Sequence, residues 1–248
     1  LNEQDLKTMS EAVEVLRQFK GFSYFTEMSD IINRLEDHVA SARMKTTPVI
    51  DFEKNESLKG LDYLDTIYHA IVNEHPIQLK YRSFKARSAN SFIFYPYLLK
   101  EYRNRWFVYG VRGNGRILQN LALDRIQSLE VLPQEHYIKN TFFDPNTFFD
   151  DLVGVTKNSG SVAEKVGFKV AAAEAPYIIT KPIHRSQQLV ERLPDGSVIL
   201  EIEVVINHEL ERVFFGYVDG IEILYPKTLV ELMSRKLEKA AKQYTKSK

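Results

Sequence analysis

Between Leu79 and Arg125 the chain carries ten basic residues: Lys80, Arg82, Lys85, Arg87, Lys100, Arg103, Arg105, Arg112, Arg116 and Arg125. Only two acids, Glu101 and Asp124, stand among them, so the segment has a local charge of +8 in a chain whose net charge is zero. The same stretch holds ten of the 29 aromatic residues, including the single tryptophan, Trp106. Clustered arginine and lysine favour an anionic partner, phosphate above all. Aromatic faces interleaved with cations are what proteins use to stack the bases of a single strand. The competing reading is a solvated sheet face whose charge keeps the protein soluble.

Within this segment the candidate contacts are Lys80, Tyr81, Arg82, Tyr97, Arg105, Trp106, Asn120, Asp124 and Arg125, with Arg185 added from a later hairpin. Tyr81 stands between two cations and its hydroxyl can reach a phosphate, or its ring belongs to the inner face of a strand. Trp106 either stacks on a base or, like most large aromatics, is buried. Arg125 beside Asp124 is a ligand-binding fork with an orienting carboxylate, or a structural ion pair.

Catalytic constellations are missing. "GVRGNG" lacks the Gly-Lys-Ser/Thr ending of a P-loop, and no Gly-x-Ser-x-Gly elbow or His-Glu-x-x-His pair occurs. The six histidines are scattered without ligand spacing, and with no cysteine there is neither disulfide nor thiolate chemistry. A non-enzymatic protein without cofactor or metal is expected. No apolar run approaches the roughly 18 residues of a membrane span, and no signal peptide opens the chain. A cytoplasmic location is expected.

The elements that must position these residues follow from periodicity. Leu6, Met9, Val13, Leu16 and Phe19 recur at helical steps, with Thr8 and Glu11 at capping-box spacing and Gly21 as the stop. Ser29 caps a second helix along Ile32, Leu35 and Val39, and a third runs along a stripe of Leu61, Leu64, Ile67, Tyr68, Ile71 and Val72 until Pro76. From Ile77 the period falls to two, and five strand candidates follow ("PIQLKYRSF", "SFIFYPYLLK", "RWFVYGV", "RILQNLAL", "RIQSLEVL"), with Gly113-Asn114-Gly115 as a hairpin turn. Five short strands behind one helix suggest a small closed or nearly closed barrel.

"FFDPNTFFDDLVGV" reads as a connector in which Asp144-Pro145 starts a short helix, its acids serving as caps rather than metal ligands. Beyond Val162 the order is strand, helix, strand, strand, helix, strand. Pro194-Asp195-Gly196 forms a turn, Asn207 an N-cap, and Thr228 with Glu231 a capping box opening the last helix. That order is the split βαβ arrangement of a ferredoxin-like domain. The expected fold is therefore α+β. A helical linker and dimerisation segment spans 1–58, a barrel 59–139, a connector 140–161 and a ferredoxin-like domain 162–248.

Taken together, "IQLKYRSF", "YPYLLKEYRNRWFVYG" and "LALDRI" resemble the WYL-domain family of bacterial transcriptional regulators, with Trp106-Phe107-Val108 in place of Trp-Tyr-Leu. "HRSQQLVE", "PDG" and "IEILYP" are similar to the C-terminal extension domain that accompanies it. The resemblance implies an Sm-like, SH3-type barrel that binds nucleotide or single-stranded nucleic acid and modulates a DNA-binding domain. It implies duplex DNA as a partner through an N-terminal winged helix-turn-helix, which this chain is expected to lack, and a homodimer is expected. Phe92 and Gln119 stand where many members have arginine, so the basic pocket is either rebuilt from residues such as Lys80, Arg82 or Arg105 or suited to a less charged ligand. The alternative is a dimerising or protein-docking scaffold that binds no ligand.

Overall fold

The computed structural model describes residues 59–113, 115 and 117–245, together with Thr8, Asp30 and Arg34. The helices expected before Lys59 otherwise lie outside the described residues. Gly60 opens the described chain in a left-handed conformation, φ +85°. A Cβ there would stand 2.3 Å from the backbone of Leu123, so only glycine lets this strand of chain lie against the turn that carries Asp124 and Arg125.

A 3-10 turn (Leu61–Tyr63) leads into helix α1 (Leu64–Val72), whose Leu64, Ile67 and Ala70 recur every three residues and form one fully buried stripe. The helix ends where expected, short of Pro76, with the His75 amide bonded back to the Ala70 carbonyl at 2.8 Å. Its stripe packs on Ile77, Leu79, Phe94, Val108, Leu121 and Ile126, from the inner faces of the strands that follow, and on Leu123 between the last two. Each of these large apolar side chains contributes about 1.5–3 kcal/mol on burial.

Those strands are β1 (Ile77–Tyr81), β2 (Asn90–Tyr102), β3 (Arg105–Arg112), β4 (Gln119–Ala122) and β5 (Ile126–Val131). They form one antiparallel sheet in the order β4-β3-β2-β1-β5. The chain thus meanders through four strands and returns to pair β5 with β1. A 3-10 turn, Leu123–Arg125, joins β4 to β5, the two ends of the order. The alternation seen in "IQLKY" holds, with Ile77 and Leu79 fully buried and Lys80 exposed.

Two turns differ from expectation. The tight hairpin lies between β2 and β3, at Arg103 and Asn104, where both residues take positive φ (51° and 61°). This is the backbone that a two-residue hairpin demands, and the Glu101 carboxylate accepts from the Asn104 amide to hold it. Gly113 also has positive φ, and the Gly115 amide bonds to the Arg112 carbonyl at 2.8 Å, but β4 begins only at Gln119. The glycine pair therefore starts a longer loop.

The chain divides into two units, Leu1–Phe142 and Phe143–Lys248. In the second, β6 (Glu164–Val170), helix α2 (Ala175–Thr180), β7 (Gln188–Arg192), β8 (Val198–Val204), helix α3 (His208–Phe215), β9 (Ile221–Tyr225) and helix α4 (Lys227–Tyr244) follow in turn. The sheet order is β7-β8-β6-β9, all antiparallel, which is the ferredoxin-like order read from its second strand. Phe168, Leu200, Ile202, Leu210 and Phe214 fill its core. Asn207 caps α3 as expected, its side-chain oxygen accepting from the Leu210 amide at 2.9 Å. Thr228 caps nothing: α4 starts one residue earlier, behind Pro226.

The helix expected from Asp144-Pro145 is a run of turns instead. Phe148 N bonds to Asp144 O, four residues back, whereas Thr147, Asp150 and Leu152 each bond three residues back. Tertiary bonds hold the chain that follows. The Asn207 amide nitrogen donates to the carbonyls of Val153 (3.0 Å) and Thr156 (2.9 Å), and the Val205 amide to that of Asp151 (2.8 Å). Leu152, Val153 and Val155 are buried. Among the described residues no helix is long and apolar enough to cross a membrane.

Candidate functional site

The 3-10 turn between β4 and β5 gathers the charged residues. Asp124, with only 10% of its side chain exposed, lies between two guanidinium groups: Arg105 Nε at 3.4 Å from Oδ2 and Arg125 Nε at 3.9 Å from Oδ1. Arg105 reaches it because it is the first residue of β3, just past the tight turn, and β3 pairs with β4 directly before the 3-10 turn. Two cations share one acid, so the group is net positive. Neither Asp124 Oδ1 nor Arg125 Nε has a hydrogen-bond partner, although both are buried from water. A buried N–H without an acceptor costs stability until one arrives, and a phosphate oxygen or a base edge would supply it.

Tyr81 closes one side. It ends β1 opposite Ile126, and the Arg82 amide donates to the Arg125 carbonyl at 3.1 Å, tying β1 to the same turn. Burial pushes the Tyr81 hydroxyl above its ordinary pKa, and the adjacent Arg125 guanidinium opposes that shift. Tyr81 stays a neutral donor at physiological pH. On the other side Phe84, 73% exposed, lies under Arg125, with the guanidinium carbon 4.6 Å from the ring centroid.

The remaining candidates separate. Trp106 is half-buried and packs against the α1 core, which favours the packing reading. Lys80 and Arg82 are exposed, and neither forms an ion pair with another described residue. Asn120 is half-buried on β4 opposite Tyr109. Tyr97 belongs to another cluster: it is the extra residue of the β2 bulge, buried, stacked on Phe142 at 6.1 Å and edge-on to Tyr137. Its hydroxyl has no partner, and burial together with the neighbouring Tyr95 pushes its pKa up to about 12. Arg185 belongs to the second unit, where Nη2 lies 2.6 Å from the Asp150 carboxylate and Nε donates to the Asp150 carbonyl at 3.2 Å.

Phe92 replaces one expected cation with a ring, and Arg112 lies over that ring at 4.1 Å, so positive charge is still held at this point of the sheet. Gln119 is half-buried at the start of β4. Phe84 was the residue that periodicity did not single out. Its signal was a large aromatic in "RSFKARS", a cationic loop with no strand alternation to bury it.

Compared with known families, residues 62–131 match the WYL domain and residues 163–241 the WCX domain. No curated protein matches the sequence at a significant level. Among solved structures, the chain is similar to proteasome accessory factor B/C (PafBC) of Arthrobacter aurescens, at 17% identity and a TM-score of 0.31, covering 78% of this chain and 28% of that one. It is also similar to a CRISPR Cas-related protein, at 12% identity and a TM-score of 0.45, covering 75% of this chain and 52% of that one. The chain thus spans about half or less of the length of these structures. Assignment rests on the two domain matches, which follow one another in the order of the two sheets. This protein belongs to the WYL-domain family, as a member whose WYL domain is followed by a WCX domain.

Proposed function

We propose that the first unit is the sensing module of a transcriptional regulator. It binds a nucleotide or single-stranded nucleic acid at Arg105, Asp124, Arg125 and Tyr81, and so modulates a DNA-binding domain carried elsewhere in the regulator. One observation carries this reading: a net positive, half-sheltered group in which Arg125 Nε has no acceptor, within a segment of charge +8. Asp124 acts as a placeholder, holding both guanidinium groups in position until a phosphate draws them to itself and takes up the unpartnered Arg125 Nε–H. No chemical step is needed, and the module is a binder rather than an enzyme.

Titration of the full chain with fluorescent single-stranded oligonucleotides at several salt concentrations tests this. Affinity should fall with salt in proportion to the phosphates contacted, and the R105A/R125A double variant should flatten the log–log slope by about 1.4, from roughly 0.7 per phosphate on a single strand. Equal affinity and equal slope in wild type and double variant would refute the site.

A second reading, a dimerising scaffold, is favoured by β7, an edge strand of the second sheet in which all five residues are exposed. The same double variant separates the two, because a scaffold keeps its oligomeric state and all its activity without Arg105 and Arg125.

A further inference from the structure

We infer that Phe84 is the platform on which an aromatic base of the ligand stacks, so that the site selects a base-bearing phosphate over phosphate alone. The inference rests on the ligand reading above and adds a residue and a selectivity to it. A single exposed apolar side chain is ordinary on a protein surface, but this one is held in place. The Ala86 amide bonds to the Ser83 carbonyl at 3.0 Å, which puts Phe84 at the first corner of a closed turn. The bond from the Arg82 amide to the Arg125 carbonyl fixes the start of the loop against the 3-10 turn.

The ring then meets the Arg125 guanidinium at 4.6 Å while 73% of the residue remains open to solvent. One aromatic face is therefore braced by a cation, and the residue still has most of its surface free. Holding the ring before the ligand arrives removes the ordering cost of binding. Lys85 and Arg87 on the same loop, and Arg82 before it, are exposed and form no ion pair with a described residue. Phosphates on either side of a stacked base would meet cations. Stacking on an aromatic side chain tolerates any base, because every base has a π-face.

Fluorescence anisotropy on the full chain tests this with four probes: a single-stranded oligodeoxyadenylate of about ten nucleotides, an abasic oligomer of the same length, AMP and inorganic tripolyphosphate. Wild type should prefer the base-bearing strand to the abasic one. F84A should weaken the base-bearing strand by about five- to a hundredfold, leave the abasic strand unchanged and melt at the same temperature. F84W should restore the preference. AMP that displaces the strand from wild type but not from F84A supports the stack and shows that a mononucleotide suffices; displacement by neither, with the F84A loss intact, supports a stack that needs a strand. F84A binding the base-bearing strand like wild type, or losing both strands equally, overturns the inference and leaves the ligand reading standing. Wild type binding none of the four probes overturns both.

Discussion

The two sheets treat the same residue types in opposite ways. In the second unit Asp150 is met by Arg185 at 2.6 Å and Asp151 by Lys157 at 2.8 Å. Asn207 spends its whole side chain, oxygen on the Leu210 amide and nitrogen on two carbonyls. In the first unit Asp124 sits between two arginines at 3.4 and 3.9 Å, and the buried Arg125 Nε is left without an acceptor. Charge-assisted bonds at 2.6–2.8 Å are saturated and belong to the architecture. Charges held together at longer range, with one buried donor unspent, are the arrangement on which the ligand reading rests. Between the arginines the difference is satisfaction: Arg185 meets its carboxylate at 2.6 Å, and Arg125 Nε has no acceptor.

The comparison breaks most visibly at Asn207. Replacing it with alanine removes an N-cap and leaves the Val153 and Thr156 carbonyls without that donor, so Asn207→Ala should lower stability by about 2–4 kcal/mol in urea unfolding. The segment 151–157 should become the first to exchange its amide hydrogens. Unchanged protection there would mean that the segment does not depend on the clip.

Next in size is Asp124. Asp124→Asn removes the carboxylate that neutralises one guanidinium, and affinity for single-stranded oligonucleotide at low salt should rise several-fold, by roughly 1 kcal/mol. The mirror change, Asp150→Asn in the second unit, should leave oligonucleotide affinity unaltered. A rise in the second variant and none in the first would reverse the assignment of clip and site.

A pH effect sharpens the contrast further. His184 is held below its ordinary pKa, first by burial and then by the charge of neighbouring Arg185. Its neutral ring accepts from the Ser186 amide at 3.2 Å, and the Ser186 hydroxyl lies 2.7 Å from the same nitrogen. Because the folded pKa lies below the unfolded value, the unfolded state takes up a proton first as pH falls. Stability is therefore present above about pH 6.5 and is lost as pH drops through that value toward the folded pKa. Melting of the second unit should decline over that window, and His184→Gln should remove the dependence. The smallest expected effect is Arg185→Ala, at about 0–1 kcal/mol of stability for an exposed pair, with no change in oligonucleotide binding.

Much of this fold was legible because it rests on local signals. Alternation in "IQLKY", the apolar stripe of α1, the Asn207 cap and the strand–helix order of the second unit each depend on residues a few positions apart. The cationic, aromatic character of the site was legible for the same reason, since charge and ring content add along the sequence. What escaped depends on partners far away in the chain. Arg105 meets Asp124 only through the β3–β4 register, and Arg125 meets Phe84 only because β1 and β5 pair. Arg185 carries the same charge as Arg105, but nothing in "HRSQQ" reveals that Asp150 takes it. The expected Asp144-Pro145 helix is replaced by turns, and the chain just beyond them is held by Asn207 and Val205, more than fifty residues away.

The central claim, that Arg125 holds an unspent donor beside Arg105 for a ligand while Arg185 is spent on Asp150, is tested most directly by side-chain NMR. The Nε–Hε resonances of all three arginines, assigned by single substitutions, can be followed in one titration with oligodeoxyadenylate. The Arg105 and Arg125 signals should move downfield together and saturate with the binding isotherm, while Arg185 stays in place. Movement of Arg185 with Arg105 and Arg125 unchanged would contradict the account.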